Sequence, residues 1–117
     1  MALSKKFTEI LSWYSGENTG VKTNLSRMLM HGQLAGSGRL VILPVDQGFE
    51  HGPDRSFAMN LDAYDPEYHF NLAISAQLSA YAAPLGMLSS VADKFAGSIP
   101  LILKLNSANS LLSLIHI

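Results

Sequence analysis

Short apolar segments alternate with helix-like segments along this chain, and this alternation restricts the fold more than any other sequence feature. Three runs have the length and composition of buried strands: Leu40 to Val45, Ala80 to Pro84, and Pro100 to Leu105. A strand–helix–strand–helix–strand order favours parallel strands joined by right-handed crossovers. The sequence therefore predicts an α/β fold, and the unbroken first run is typical of a strand buried on both faces.

Two helices are predicted before the first strand. Residues 4–15 carry apolar side chains at helical spacing and are expected to end near Gly16. Residues 21–29 repeat the pattern, and Gly32 is a natural stop. A loop is expected between this second helix and the first strand.

Two further helices are predicted between the strands, after a turn-rich segment from residue 46 to residue 64. Asp65 can cap a helix that begins at Pro66, where the missing N–H costs little. Its buried stripe consists of Phe70, Ala73, Ile74 and Leu78. One more helix, ended by Gly97, is predicted from the i, i+3, i+4, i+7 spacing of Leu88, Val91, Ala92 and Phe95.

Three strands alone would leave two apolar sheet edges exposed, so the pattern indicates the first part of a larger α/β domain. The chain has 117 residues, with 48% apolar residues and 15% charged residues. A net charge of −1 gives no electrostatic reason to expect nucleic acid or an anionic membrane as a partner. Charged residues near the N-terminus argue against a secretory signal, and the absence of cysteine fits a cytoplasmic protein.

Ionisable side chains stand at the ends of two predicted strands. Asp46 directly follows the first strand, and Lys104 lies near the end of the third. In parallel α/β folds the chemistry gathers at the carboxyl ends of the strands. If Lys104 points to the inner face of the sheet, Asp46 is its expected partner. The alternatives are a turn role for the aspartate and a lysine that extends to solvent.

The remaining histidines and methionines suggest no site. Glu50 and His51 lie close to Asp46, but the three have no recognised metal-ligand spacing, so no metal site is predicted. The other histidines are expected at the surface or its boundary: His31, His69 and His116. Three methionines are expected as core filler: Met28, Met30 and Met87.

Long stretches of the chain resemble the archaeal-type (DhnA-type) class I fructose-bisphosphate aldolases. The stretches are "LVILPVDQGFEHGP", "FAMNLDAYDPEYHFNLAISAQLSAYAAPLGML" and "ADKFAGSIPLILKLNSANSL". The similarity runs from about residue 18 to residue 111, and "PVDQGFEHG" is its most specific part. The resemblance implies a (β/α)8 barrel, of which this chain holds two leading helices, about three parallel strands and two helices.

The resemblance also implies a reaction and roles for residues in it. Such aldolases cleave fructose 1,6-bisphosphate to dihydroxyacetone phosphate and glyceraldehyde 3-phosphate through a Schiff base on a lysine, without metal or cofactor. Asp46 stands at the position of the family's active-site aspartate, which assists formation of the covalent adduct. Lys104 stands at the position of an inward-facing lysine that stabilises charge or orients the substrate. Gln47 and His51, in the same motif, are expected to contact the substrate.

The chain departs from the family pattern in what it lacks. The family's Schiff-base lysine, tyrosine acid/base and phosphate-binding loops come from later strands. Residues 1–111 are therefore expected to be the N-terminal part of a single barrel domain that is inactive by itself. The apolar ending "LSLIHI", residues 112–117, is typical of a translated sequencing adapter and is expected to be non-native.

Two other functions remain open on the sequence. Related Schiff-base enzymes of the aldolase, transaldolase or thiolase type act on other keto-sugar phosphates. A small non-enzymatic interaction module that uses the exposed strand edges is a third possibility. For the aldolase interpretation, the expected partners are a sugar phosphate and further copies of the full-length protein.

Overall fold

The computed structural model of this protein describes residues 3–46 and 53–105. The described elements are, in chain order, α1 (Lys5–Trp13), α2 (Thr19–Leu29), β1 (Ile42–Pro44), α3 (Pro53–Phe57), a 3-10 helix (Leu61–Tyr64), α4 (Pro66–Ser75), β2 (Ala80–Pro84), α5 (Leu85–Ser89), α6 (Ala92–Phe95) and β3 (Leu101–Lys104). Three parallel strands with helices between them confirm the predicted α/β class.

Side-chain caps begin the two leading helices. The Ser4 hydroxyl accepts a hydrogen bond from the Phe7 amide at 3.2 Å, and the Asn18 side chain accepts one from Val21 at 2.9 Å. These bonds satisfy amides that have no partner within the helix. Both helices match the prediction to within about two residues. Gly32 has a φ of +80° in the turn that follows α2.

The sheet has the order β1-β2-β3, and β2 is its central strand. Its helix-facing side presents Leu43 and Val45 from the first strand and Tyr81 and Ala83 from the second. These side chains pack against helical residues in one core, whose buried members are Val45, Phe70, Ala73, Tyr81, Ala83, Leu88, Val91 and Ile99. The core therefore lies on one side of the sheet.

On the opposite side of the sheet, β1 is open among the described residues, whereas Ala80 of β2 on the same side is buried. Ile42 and Pro44 point to this side and are exposed, so the prediction that the first strand is buried on both faces is wrong. The described helices α3 to α6 supply the core on the other face, and no described element packs over Pro44 closely enough to bury it. An apolar run shows that both faces of a strand can be buried, but burial of each face requires another element of the protein to pack on it.

The connection from β1 to β2 contains more structure than the predicted loop. Its described part holds α3 and the 3-10 helix before α4 begins. Asp65 caps α4 as predicted, accepting a hydrogen bond from the Glu67 amide at 2.9 Å, and Pro66 is the first helical residue. Phe70 and Ala73 are buried, while Leu78 is half-buried in the turn beyond the helix end.

The single helix predicted between β2 and β3 is divided into two short helices. Val91 breaks it with φ −132° and ψ 18°, and its side chain is buried in the core. The Ser90 hydroxyl donates to the Met87 carbonyl at 3.2 Å, which offers that carbonyl a non-helical partner. Lys94 of α6 forms an ion pair with Glu67 of α4, and that hydrogen bond raises the pKa of Lys94.

Two predictions about single residues are wrong. His69 is buried, because its ring packs between Phe57 and Tyr68 and its Nε2 bonds a backbone carbonyl. Met30 is exposed, because it follows the last residue of α2 in a turn. His31 is half-buried, and His116 lies outside the described residues.

Met28 and Met87 are half-buried.

Among the described helices, none combines the length and the hydropathy that a membrane span requires.

Tyr81 carries a polar atom that the core does not satisfy. Its side chain is fully buried and meets the Phe70 ring edge-on at 4.6 Å, but its hydroxyl has no hydrogen-bond partner among the described residues. Burial raises the pKa of Tyr81 to about 12, so the phenol is neutral at physiological pH.

We expect Tyr81→Phe to raise the free energy of unfolding by about 1 kcal/mol, because an unpaired buried hydroxyl is removed while the ring contact stays. Urea unfolding of the purified chain measures this. Tyr68→Phe is the control, since the Tyr68 hydroxyl accepts a hydrogen bond from Asn60 and its loss brings no gain. A Tyr81→Phe variant less stable than the parent would contradict the expectation.

Three glycines offer a graded test of backbone packing. A Cβ at Gly32 would overlap the Gln77 carbonyl oxygen and lie 2.6 Å from that of Leu78, and the residue also has a positive φ. Gly97 has a positive φ but open space around it, and Gly86 has open space without a positive φ. We expect Gly97→Ala to cost about 1–2 kcal/mol, Gly32→Ala to cost more, and Gly86→Ala to cost nothing, by urea unfolding. Equal losses at Gly32 and Gly97 would contradict the predicted overlap.

Candidate functional site

Asp46 and Lys104 meet at the carboxyl ends of the strands. The Lys104 ammonium forms an ion pair with Oδ2 of Asp46. The Asp46 side chain is 18% exposed and that of Lys104 is 28% exposed, so a ligand can still reach both. The prediction that Asp46 is the partner of Lys104 is therefore confirmed for the geometry of the pair.

Strand register brings the two charges to one level. Pro44 pairs with Ala82, and Val45 continues the ladder by donating to the Ala82 carbonyl at 2.9 Å. Two residues beyond Pro44, Asp46 is thus level with Pro84. Pro84 in turn pairs with Lys104. We call the pair of Asp46 and Lys104 the strand-end site, and Pro84 is the β2 residue between them.

The ion pair crosses the central strand. Since adjacent strands lie about 4.7–4.9 Å apart, β1 and β3 are separated by about 9–10 Å, with β2 between them. Alternation along β3 puts Ile102 and Lys104 on the open face, and Leu101 and Leu103 on the face shared with Tyr81 and Ala83. The lysine therefore spans the sheet surface to reach the aspartate.

The chemistry available to this pair is proton transfer and anion stabilisation. A carboxylate at a strand end can take up and return protons when a bound carbonyl group reacts. A partly desolvated ammonium group binds anionic oxygens more strongly than an exposed one does. The pairing keeps both groups in place before a ligand arrives.

Aromatic contacts and hydrogen bonds hold the connection after β1 against α4. Nε2 of His69 lies 2.8 Å from the Ala63 carbonyl, to which it donates, and the Phe57 ring lies 5.4 Å from the imidazole. The Tyr64 hydroxyl donates to Asp54 at 3.1 Å. Partial desolvation and then this carboxylate raise the pKa of Tyr64, so it stays a neutral phenol at physiological pH.

A cavity of about 380 Å³ lies between this connection and the end of β2. Its lining is mostly apolar and comes from Phe57, Ala63, Tyr64, Pro66, Pro84, Gly86 and Met87. No lysine or arginine lines it, so a phosphate group has no counter-charge there.

The other predicted site residues, Gln47 and His51, lie outside the described residues. Within residues 3–46 and 53–105, no group of three or more His, Asp or Glu side chains is placed to hold a metal ion. Sequence reasoning did not identify Pro84 as the neighbour of the strand-end site on β2. Its only signal was its place at the end of the second predicted strand, which gains meaning once the register is known.

Comparison with known proteins places these features in a family. A model of the DeoC/LacD family aldolases matches residues 40–115. The "probable fructose-bisphosphate aldolase class 1" of Chlamydia pneumoniae is 46% identical over 110 residues, which are 94% of this chain and 31% of that protein. The protein with the same description from Chlamydia muridarum is 50% identical over 85% of this chain and 28% of its own length.

An archaeal relative and a solved structure are also aldolases to which this chain is similar. The "fructose-bisphosphate aldolase class 1" of Thermoproteus tenax is 42% identical over 63% of this chain and 27% of its own length. A structure of a Schiff-base-forming fructose-1,6-bisphosphate aldolase is similar over 77% of this chain and 33% of that chain, with 36% identity and a TM-score of 0.58. The chain thus spans about a third of the length of these relatives. Over that span, the chain belongs to the DeoC/LacD family of aldolases.

Proposed function

We propose that this chain is the N-terminal part of a class I aldolase that cleaves fructose 1,6-bisphosphate to dihydroxyacetone phosphate and glyceraldehyde 3-phosphate. The observation that carries the proposal is the Asp46–Lys104 ion pair at the carboxyl ends of two parallel strands. The names of the relatives and the solved structure support the choice of substrate.

In this proposal the two charged residues assist a nucleophile that lies outside the chain. A lysine from a later strand attacks the substrate ketone and forms the Schiff base, with loss of water. Asp46 takes up and returns protons as the carbinolamine forms and dehydrates. Lys104 binds an anionic or hydroxyl oxygen of the substrate and holds Asp46 in place. Gln47 and His51, which follow Asp46 in the same sequence motif, contact the substrate.

The proposal also covers the whole protein. Residues 1–111 form part of a single (β/α)8 barrel, whose later strands continue the sheet beyond β3 and cover its open face. The full-length protein is a cytoplasmic homo-oligomer that needs no metal or cofactor, because the Schiff base supplies the electron sink.

We expect Asp46→Ala in the full-length protein to lower kcat/KM for fructose 1,6-bisphosphate by about 10²- to 10⁴-fold, since it removes the proton-transfer group. A coupled assay of triose phosphate release measures this, with other ketose phosphates tested in parallel. Asp93→Ala, which removes an exposed carboxylate on α6, is the matched control. Full activity in Asp46→Ala, or a preference for a different ketose phosphate, would reject the assignment.

We expect the 117-residue chain to show no aldolase activity and to trap no substrate when fructose 1,6-bisphosphate and borohydride are added. The full-length protein should be labelled on a lysine beyond residue 117, because that lysine is the proposed nucleophile. Peptide mass spectrometry locates the adduct. Stoichiometric labelling of Lys104 in either protein would reverse the proposed roles.

A further inference from the structure

Pro84 lies directly between the two charges of the strand-end site. It pairs with Lys104 on one side and is level with Asp46 on the other, and alternation along β2 places it on the sheet face opposite to Ala83, the face that carries the ion pair. Aligned residues of neighbouring parallel strands stand side by side. The ion pair therefore passes over residue 84, and any side chain there shares the volume through which the lysine reaches the aspartate.

The proline side chain is short and folded back onto its own backbone nitrogen. A residue with a γ-branched or aromatic side chain would stand up from the sheet at this level, between β1 and β3. The backbone of Pro84, with φ −64° and ψ 160°, is extended, and Ala or Leu adopts it without strain. The size of the side chain at this position can therefore be changed without forcing the backbone to move.

We propose that Pro84 is a positioning residue for the aldolase reaction: its small side chain leaves open the space in which Asp46 and Lys104 pair and receive the substrate. This inference rests on the proposed function for its kinetic consequences only. The alternative role for Pro84 is to fix the backbone where β2 ends and α5 begins. The two roles predict different results for alanine.

The kinetic test compares Pro84→Ala with Pro84→Leu in the full-length protein. Alanine keeps the space and loses the fixed φ, so we expect kcat/KM for fructose 1,6-bisphosphate within about twofold of the parent. Leucine fills the space, so we expect a loss of about 10²-fold through displacement of the pair. An alanine variant as impaired as the leucine variant, or a fully active leucine variant, overturns the proposal.

A double variant separates displacement of the pair from general damage. If Pro84→Leu acts by moving Asp46 and Lys104 apart, it should lower the residual activity of Asp46→Ala by no more than about twofold. Equal losses in both backgrounds would mean that leucine acts elsewhere and would overturn the proposal. If circular dichroism shows that the leucine variant does not fold, Pro84→Val is used in its place. Its expected loss of kcat/KM lies between those of the alanine and leucine variants.

A labelling experiment tests the same inference without any activity. Trace acetylation with acetic anhydride reports the relative reactivity of Lys104 in the full-length protein, with the exposed Lys5 as internal reference. We expect Lys104 to react faster in Pro84→Leu than in the parent, by about the same factor as in Asp46→Ala, and to be unchanged in Pro84→Ala. No change in the leucine variant overturns the proposal. The expected labelling pattern in a protein that does not cleave fructose 1,6-bisphosphate would reject the proposed function and leave the positioning role standing.

Discussion

The parallel hydrogen-bonded register of β2 with both neighbours is the constraint on which the rest of the described structure depends. It assigns each strand residue to one of two faces. One face carries Tyr81 and Ala83 and forms the core with the helices, while the other carries Pro84 and Lys104. A shift of one residue would exchange the faces, burying charge and exposing the core. The same register that builds the core thus creates the strand-end site.

The ion pair itself is a weak source of stability. Moving two charges partly out of water carries a cost that their attraction offsets only in part. Its value is geometric, because each charge fixes the other at the edge where a ligand can approach. Stability comes instead from the core around Phe70, whose ring stacks on Phe95 at 4.9 Å and meets Tyr81 edge-on. The fold therefore separates the side that holds it together from the side that carries the Asp46–Lys104 ion pair.

Much of this arrangement could be predicted from the sequence, and the wrong predictions concern residues whose surroundings come from other segments of the chain. Apolar periodicity located α1 and α2, the Asp65 cap located α4 and a short apolar run located β2, because these signals act over a few residues. The buried His69 could not be predicted, since its burial depends on Phe57 and on the Ala63 carbonyl, which belong to a connection read as a loop. The helix break at Val91 could not be predicted from the sequence either, because the helical spacing of apolar residues continues through it. The backbone leaves the helix at Val91, next to the hydrogen bond of the Ser90 side chain.

By itself, the sequence determined the α/β class and the alternation of strands with helices, and it placed Asp46 and Lys104 at strand ends, since alternation and strand ends are local properties of the chain. The aldolase motif could also be identified from the sequence, because the residues that carry it are contiguous. Only the tertiary structure decided that Pro84 lies between the two charges, that His69 is buried and that one face of β1 is open. These are relations between segments distant in sequence, and they exist only when strand register and packing bring those segments together.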